Sequence, residues 1–263
     1  MEDIMFKRVI AFTYGMVCYA AFSVVFLYAI GFVAGVVVPK TIDTGPTAGL
    51  GGALAIDLAL LAIFALQHSV MARPWFKRRW TQFVPPSVER STFVLAASLS
   101  LALLFWQWRP ISQPVWTIVN PVVRNLVWAT AALGWLTVFL TTFMISHTHL
   151  FGLAQVWSRL LGKDAPEPRF QTRWLYAHVR HPLMLGFFIA FWAAPVMSVG
   201  HLVFSVASTG YILLATLHFE ERDLQHYIGE PYRNYLRRVP AFVPRIGRGV
   251  KVEELRGETE VAH

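Results

Sequence analysis

The chain has 263 residues, of which 56% are hydrophobic and only 14% are charged, and its mean hydropathy is +0.49. This composition excludes an ordinary soluble domain and predicts an integral membrane protein. The formal net charge is +8, but the basic residues lie between hydrophobic runs and form no continuous stripe. We therefore expect membrane lipids, and not nucleic acid, as the anionic partner. The single cysteine, Cys18, excludes an internal disulfide and a cysteine-based metal site.

The N-terminal half predicts a series of membrane-spanning helices. Met1–Arg8 runs into an apolar stretch without a small-residue cleavage site, which indicates an anchor and not a signal peptide. A hydrocarbon core of ~30 Å takes about 20 helical residues to cross. Apolar runs of about that length occupy residues 9–36, 53–71, 91–107 and 124–146. The stretch 39–52, rich in Gly, Thr and Pro, is predicted to be a flexible outer connection.

A fifth apolar region, residues 183–219, is too long for a single crossing. Pro195, Ser198 and Gly200 interrupt it, so we predict two short helices that form a hairpin. The predicted fold class is therefore all-α: a polytopic membrane helix bundle with four spans and a C-terminal helical hairpin.

The distribution of Lys and Arg predicts the orientation. On this scheme 20 of the 23 basic residues fall on one side of the membrane, and only Lys40, Arg109 and Arg124 fall on the other. Because cytoplasmic loops carry the excess of Lys and Arg, we expect both termini to be cytoplasmic. The tail from Arg248 alternates Gly, Glu and Lys without aromatic residues and is predicted to be disordered.

Polar residues in the second span are candidates for function, because ionisable groups are expensive in a membrane. Asp57 and His68 share a helix face but lie ~16 Å apart along the axis, so they cannot touch. Asp57 could be an interfacial residue. His68, at the cytoplasmic end, is either a catalytic residue or a hydrogen-bonded histidine that closes the helix.

The fourth span ends in a pair of histidines, His147 and His149, at the same cytoplasmic boundary. Imidazole is a common metal ligand, but residues at i and i+2 of a helix point in different directions. We therefore expect no metal site. His147 lining a pocket together with His68 is the more plausible arrangement.

The densest polar signal flanks the hairpin. It begins with Tyr176 and Arg180-His181-Pro182 and resumes with Glu220-Glu221 and a Tyr232-Arg233 pair. Pro182 presets the first turn of a helix, and a helix N-terminus beside Arg180 is suited to a carboxylate. The two glutamates could accept hydrogen bonds from an amine or from ribose hydroxyls. Alternatively, these residues are interfacial charges that pair with one another.

Residues 170–245 resemble the isoprenylcysteine carboxyl methyltransferase and phospholipid methyltransferase superfamily of membrane enzymes. The resemblance rests on the order Arg-His-Pro, apolar hairpin, Glu-Glu, Tyr-x-x-Tyr and Val-Pro. Residues 1–165 are similar to a narrower family, the methanethiol S-methyltransferases. The strings Leu66-Gln67-His68-Ser69-Val70-Met71-Ala72-Arg73 and Leu150-Phe151-Gly152-Leu153 carry this similarity.

The resemblance implies S-adenosyl-L-methionine as the methyl donor. The implied binding residues, with Tyr176 beside them, are Arg180, His181, Pro182 and Gly186 on one arm and Glu220, Glu221, Tyr232 and Arg233 on the other. Three regions follow: transmembrane helices and a substrate pocket in 1–165, a cytoplasmic cofactor-binding region with the hairpin in 166–247, and the tail 248–263.

The expected function is S-adenosylmethionine-dependent methylation of a small thiol, from methanethiol to dimethyl sulfide, with hydrogen sulfide as a further acceptor. His68 or His147 would accept the thiol proton, because the thiolate is the nucleophile. The alternatives are an isoprenylated or lipid acceptor, a membrane reductase with a nicotinamide cofactor, and a haem protein ligated by the histidines. Nothing in the sequence calls for an obligate protein partner.

Overall fold

The computed structural model describes residues 2–166 and 170–256. In chain order the helices are α1 (Glu2–Ala34), α2 (Leu50–Ala72), α3 (Pro74–Trp80), α4 (Pro86–Gln107), α5 (Pro121–Ile145), α6 (His147–Leu150), α7 (Leu153–Leu161), α8 (Pro182–Trp192), α9 (Val199–Leu214), α10 (Glu221–Ile228), α11 (Glu230–Arg238) and α12 (Val252–Arg256). Within the described ranges two short strands, β1 (Pro114–Thr117) and β2 (Val196–Ser198), pair antiparallel. The predicted all-α fold class is confirmed.

Membrane-spanning helices make up most of the chain. In the part of the chain that the structure describes, five segments are long and apolar enough to cross a membrane: Ile4–Ala34, Leu50–Ala72, Pro86–Gln107, Pro121–Ile145 and Val199–Ile228. Large apolar side chains on their surfaces are open, as at Val24 and Leu27, each 66% exposed. Lipid, and not water, is the solvent such surfaces require, so the chain is a multi-pass membrane protein.

The predicted break in the last apolar region is present, but its two helices differ in length. Helix α8 has 11 residues and is too short to cross alone. The chain leaves helical geometry before Pro195, whose missing N–H and ring disfavour continuation. The second helix is longer than predicted, since α9 runs through a π-helical stretch, Ala215–Glu220, into α10. The apolar pattern ends near residue 219, but the helix continues into the polar segment Glu221–Ile228. Hydrophobicity alone therefore could not predict this continuation.

The described residues form two compact units, and neither is one continuous stretch of sequence. The first comprises Met1–Thr117, His147–Glu167 and Val196–Ala207, as far as these ranges are described. The second comprises Ile118–Ser146, Pro168–Pro195 and Ser208–His263, with the same restriction. The sequence analysis divided the chain by function, with a substrate-pocket region ending at residue 165 and a cofactor-binding region beginning at residue 166. This functional division stays a prediction.

The first unit is built on α1, to which α4 and α7 pack, while α2 packs on α4. Aromatic side chains fill the end of this unit where α1 and α4 finish: the Phe32 ring centroid lies 4.7 Å from that of Phe105 and 6.0 Å from that of Trp108. Trp108 is fully buried, and its indole N–H donates to the Ile42 carbonyl at 3.0 Å. An aromatic ring with a polar tip suits this position because the apolar body is buried and the N–H is satisfied.

The connection between α1 and α2, predicted to be flexible, makes polar contacts with other parts of the first unit. Asp57 of α2 is fully buried, and its Oδ1 accepts a hydrogen bond from the Arg109 backbone N–H at 2.8 Å. The Lys40 ammonium donates to the Trp106 carbonyl, and the Ser198 hydroxyl donates to Asp43. The connection is therefore ordered by polar contacts to the end of α4 and to β2, which its Gly-rich composition did not indicate.

The second unit centres on the contact between α5 and α8, where two glycines let the backbones approach. A Cβ on Gly134 would lie 2.6 Å from the Ala190 nitrogen, and a Cβ on Gly186 would lie 2.8 Å from the Val138 nitrogen. Small residues at helix contacts are a common way for membrane helices to associate, because lipid supplies no hydrophobic drive.

The C-terminal segment predicted to be disordered begins with ordered structure. Residues 252–256 form α12, and Leu255 is fully buried in a core cluster with Tyr232, Tyr235, Val239 and Val250. The Asn234 amide donates to the Leu255 carbonyl at 3.1 Å. Two apolar residues thus anchor a stretch whose composition is otherwise polar. Residues 257–263 of the predicted tail lie outside the described residues.

Replacing Leu255 with Ala is expected to lower the free energy of unfolding by about 3 kcal/mol, as large-to-small changes at fully buried sites do. The measurement is thermal unfolding of the purified protein in detergent. Val243→Ala is the control, since Val243 is 75% exposed and should change little. Equal effects of the two substitutions would show that α12 is not anchored by this side chain.

Candidate active site

The polar residues that flank the hairpin meet in the second unit. Arg180 and His181 immediately precede α8, and Pro182 occupies the first position of that helix. His181 has φ −124° and ψ 63°, outside helical geometry, as a residue before proline is expected to be. The backbone N–H groups of Arg180 and His181 donate to the carbonyls of Pro240 and Ala241 at 2.9 and 3.0 Å. This pairing fixes both side chains at the mouth of α8.

The Arg180 guanidinium connects three segments of the chain. Its Nε donates to Glu221 Oε1 at 2.9 Å, and its Nη2 lies 2.8 Å from the same oxygen. Its Nη1 donates to the Leu236 carbonyl at 3.1 Å and also to the Val239 carbonyl. Because Leu236 and Val239 lie at the end of α11, Arg180 caps the carbonyls that this helix leaves unpaired.

His181 completes the network from the other side of the carboxylate. Its Nε2 lies 2.9 Å from Glu221 Oε1. The side chains of Arg180, His181 and Glu221 are 11%, 6% and 10% exposed, so this ion pair is shielded from solvent. Glu221 Oε2 makes no hydrogen bond within the described ranges. One carboxylate oxygen is therefore bonded within the protein, and the other has no hydrogen-bond partner among the described residues.

A π-helical stretch places the two glutamates. Residues 215–220 adopt π geometry, and the Glu221 N–H bonds to the Thr216 carbonyl. Such a bulge shifts the register of all residues after it, and π-bulges are frequent at functional sites. The Thr216 hydroxyl is buried and has no hydrogen-bond partner within the described ranges. The helix thus departs from its regular period where the acidic pair begins.

Three tyrosines belong to the same region of the second unit, and two of them, Tyr176 and Tyr232, are acted on by the charges of the acidic pair. The Tyr235 hydroxyl donates to the Tyr176 carbonyl at 2.5 Å, which fixes the turn before Arg180. Tyr232 is only 2% exposed, and Glu220 and Glu221 act electrostatically on it. Neither the Tyr176 hydroxyl nor the Tyr232 hydroxyl forms a hydrogen bond with any residue of 2–166 or 170–256.

Burial sets the protonation state of these phenols. It raises the pKa of Tyr176, and the negative charge of Glu220 raises it further. Burial likewise raises the pKa of Tyr232, with Glu221 and Glu220 as the next causes. Both groups therefore stay protonated at physiological pH and act as hydrogen-bond donors. The cluster offers two phenol donors beside carboxylate acceptors.

The two candidate histidines lie in the first unit. His147, the first residue of α6, has its Nε2 2.8 Å from the Tyr19 hydroxyl, and its ring centroid lies 4.8 Å from that of Phe151. Burial lowers the pKa of His147, so its imidazole is neutral at pH 7. His68 of α2 has a buried Nδ1 without a hydrogen-bond partner in the described part of the chain. Of the two, His68 has the uncommitted nitrogen.

The chain aligns almost end to end with proteins named as methyltransferases. It is 53% identical over 238 residues to methanethiol S-methyltransferase from Mycobacterium tuberculosis, covering 90% of this chain and 97% of that protein. It is 52% identical over 242 residues to methanethiol S-methyltransferase 2 from Bradyrhizobium diazoefficiens, covering 92% and 93%. The chain belongs to the methanethiol S-methyltransferase family.

A more distant relative of this methanethiol S-methyltransferase family member is Nurim from Xenopus laevis. Nurim is 30% identical over 187 residues, which cover 66% of this chain and 62% of Nurim. No family model matches the chain. No solved structure matches it either.

Two of the residues implied as cofactor ligands have other contacts in this family member. Gly186 faces Val138 and the Gly134 carbonyl, so its lack of a side chain already serves helix packing. The Arg233 side chain is 55% exposed and pairs with Glu230, three residues earlier, at 3.1 Å. The structure therefore brings Arg180, His181, Glu221 and the tyrosines together, while Gly186 and Arg233 contact other groups.

The sequence analysis did not identify Tyr235 and Arg90 as candidate site residues of this methanethiol S-methyltransferase family member. Tyr235 belongs to the Tyr-x-x-Tyr motif, and its spacing of three from Tyr232 places both on one helix face. The predicted third span, residues 91–107, begins one residue after Arg90, but Arg90 lies inside α4 and inside a candidate membrane span. The signal for Arg90 is the apolar run that begins immediately after it.

Proposed function

We propose that this protein transfers a methyl group from S-adenosyl-L-methionine to methanethiol and releases dimethyl sulfide. The observation that carries the proposal is the buried cluster of the second unit, which pairs uncommitted phenol donors with carboxylate acceptors. It occurs in a chain that aligns over about nine tenths of its length with methanethiol S-methyltransferases. Hydrogen sulfide is a second, smaller acceptor of the same chemistry.

The residues of the cluster suit this donor. S-adenosylmethionine carries an ammonium group, a carboxylate and ribose hydroxyls, and, when bound, it supplies an electrophilic methyl group on a positively charged sulfur. Glu221 Oε2 would accept from the ammonium group or from a ribose hydroxyl, with Glu220 as a further negative charge. The Tyr176 and Tyr232 hydroxyls would donate to the carboxylate or to ribose oxygens.

Arg180 and His181 have a positioning role in this proposal. Both orient this carboxylate through their contacts with Glu221 Oε1, and the Arg180 guanidinium offsets its charge. A carboxylate that accepts several such bonds stays ionised even when it is buried. Preorganised charges of this kind bind and orient a ligand without rearranging when it arrives.

The membrane location suits an uncharged volatile thiol, since such a molecule partitions into lipid and can enter between helices. The predicted orientation places both termini and the acidic cluster on the cytoplasmic side, where a charged nucleotide-like donor is available. Addition of a protease to sealed right-side-out vesicles tests this part: the C-terminal epitope is expected to be protected. Cleavage of that epitope in intact vesicles would refute the orientation.

The reaction itself is tested by headspace gas chromatography of membranes that contain the protein. Methyl-labelled S-adenosylmethionine and methanethiol are expected to give labelled dimethyl sulfide, and hydrogen sulfide is expected to give labelled methanethiol. Membranes from cells with an empty vector are the control. Absence of volatile labelled product, or incorporation of the label into lipid or isoprenoid material instead, would refute the proposal.

A histidine is proposed to accept the thiol proton, and His68 and His147 are tested separately. General-base catalysis contributes about 10²–10⁴-fold, so alanine at the responsible position should lower kcat by about 100-fold or more. Binding of labelled S-adenosylmethionine, measured by equilibrium dialysis, should change little. A variant that loses donor binding and turnover together has lost its fold, and its histidine is then structural.

A further inference from the structure

Arg90 is a charged side chain inside the first unit whose terminal nitrogens are uncommitted. Its Nε donates to the Leu150 carbonyl at 2.7 Å, and its guanidinium carbon lies 4.8 Å from the centroid of the Phe93 ring. No hydrogen bond or ion pair of its Nη1 or Nη2 occurs among residues 2–166 and 170–256. Arg90 lies in the first turns of a candidate membrane span, and the charge of the neighbouring Glu89 acts on it without forming an ion pair among the described residues. Its free donors are therefore suited to an anionic ligand.

His68 lies against the same aromatic ring. The His68 ring centroid is 5.0 Å from that of Phe93 and 5.4 Å from that of Phe64. The positive charge of Arg90 also acts on the His68 imidazole and favours its neutral form. The buried Nδ1 of His68 lacks a hydrogen-bond partner among the described residues, and such a group costs about 1–3 kcal/mol while it stays unsatisfied. The Arg90 guanidinium and the His68 imidazole thus both lie against the Phe93 ring, each with an uncommitted nitrogen among the described residues.

These surroundings match the needs of a small thiol that must ionise. Sulfur packs favourably against aromatic rings such as Phe64 and Phe93. A neighbouring guanidinium favours the thiolate over the thiol, and arginine stays charged even when buried. A neutral imidazole nitrogen can take the proton. No single one of these features makes a site, but together they supply every group that thiol activation requires.

We propose that Arg90 and His68 form the acceptor-thiol site, with Arg90 as the residue that binds the thiolate. This inference rests on the proposed function. The thiol S–H bond breaks and its proton moves to His68 Nδ1. The electron pair left on sulfur forms the new S–CH₃ bond as the donor's C–S bond breaks, and that bond's pair stays on the donor's sulfur. His68 then returns the proton to water.

The test compares methanethiol with methaneselenol, an acceptor of nearly the same shape that is already ionised at neutral pH. His68→Ala should lower kcat for methanethiol by about 100-fold or more, as loss of a general base does. For methaneselenol it should lower kcat by less than about tenfold, because no proton has to be removed. His147→Ala should not discriminate between the two acceptors.

Arg90 variants report on binding of the anion. Arg90→Gln should weaken binding of methaneselenolate to the donor-free protein by about tenfold or more, the effect of losing a charge-assisted contact of about 1.4 kcal/mol or more. Isothermal titration calorimetry without oxygen measures this directly. Arg90→Lys should restore part of the binding, since the charge is kept. Arg79→Gln, at an exposed position of α3, is the matched control.

The results of these experiments decide whether Arg90 and His68 form the thiol site. Equal slowing of both acceptors in His68→Ala, or unchanged methaneselenolate binding in Arg90→Gln, overturns the inference. If Arg90→Gln melts at a lower temperature than the wild type, binding of labelled S-adenosylmethionine decides: a loss of donor binding equal to the loss of methaneselenolate binding indicates a structural arginine and overturns the inference. A wild-type protein that methylates neither acceptor refutes the proposed function instead.

Discussion

Replacing Arg180 with Gln is expected to abolish donor binding and to destabilise the second unit. The substitution leaves the shielded Glu221 carboxylate with His181 as its remaining partner among the described residues and removes the donor that caps α11. Breaking a buried ion pair by removing one partner costs about 3–5 kcal/mol. Thermal unfolding in detergent and dialysis with labelled S-adenosylmethionine measure the two effects.

The control for this prediction is Arg237→Gln on α11. Arg237 is 73% exposed and lies 4.0 Å from its ion-pair partner, Glu230, and exposed pairs contribute about 0–1 kcal/mol. Arg180→Lys should recover little, because a lysine cannot bridge Glu221 and two carbonyls at once. Should Arg180→Gln melt like the wild type and still lose the donor, the guanidinium must contact the donor directly, as the family resemblance implies.

The sequence could predict that Arg180 and Glu221 lie close together, but not which other groups Arg180 contacts. Pro182 and the break near Pro195 indicate that the chain turns back, so residues before and after the hairpin share one membrane level. The sequence analysis gave mutual pairing of these charges as the alternative to a ligand site, and Arg180 and Glu221 do form such a pair. The carbonyl partners at the end of α11 carry no side-chain signature, so no pattern could have revealed them.

The uncommitted phenols and the π-helical stretch lay beyond sequence reasoning for a different reason. Hydrophobic periodicity reports a regular helix, and one inserted residue inside Ala215–Glu220 leaves the composition unchanged. Whether the Tyr232 hydroxyl finds a partner depends on how α11 docks against the turn before Arg180. Such docking is set by tertiary packing, which local propensity does not encode.

In the first unit, too, the sequence predicts which residues are candidates but not what they contact. Position alone marks His68 and Asp57 as polar residues within a span. It cannot show that Asp57 is fully buried and binds the Arg109 backbone, or that His68 packs against Phe93. Contacts between residues distant in sequence decide these roles, and a single sequence does not display them.

Replacing Gly186 with Leu is expected to separate α5 from α8 and to lose both stability and donor binding. Even a Cβ at this position would lie 2.8 Å from the Val138 nitrogen and 2.9 Å from the Gly134 carbonyl oxygen. Backbone atoms cannot rotate away, so the loss of unfolding free energy should be about 3 kcal/mol, the upper end of what overpacking typically costs. Thermal unfolding in detergent measures it.

Gly210→Leu is the matched control, since Gly210 also lies in a membrane helix but has no described heavy atom within 4 Å of the point where a Cβ would lie. It should melt close to the wild type, because lipid accommodates the added side chain. Gly186→Ala separates packing from ligand contact. A lower melting temperature with donor binding reduced in proportion indicates packing. Donor binding lost at an unchanged melting temperature would instead mean that Gly186 keeps space for the donor, and that the tight contact with α5 is relieved by a small shift of α8.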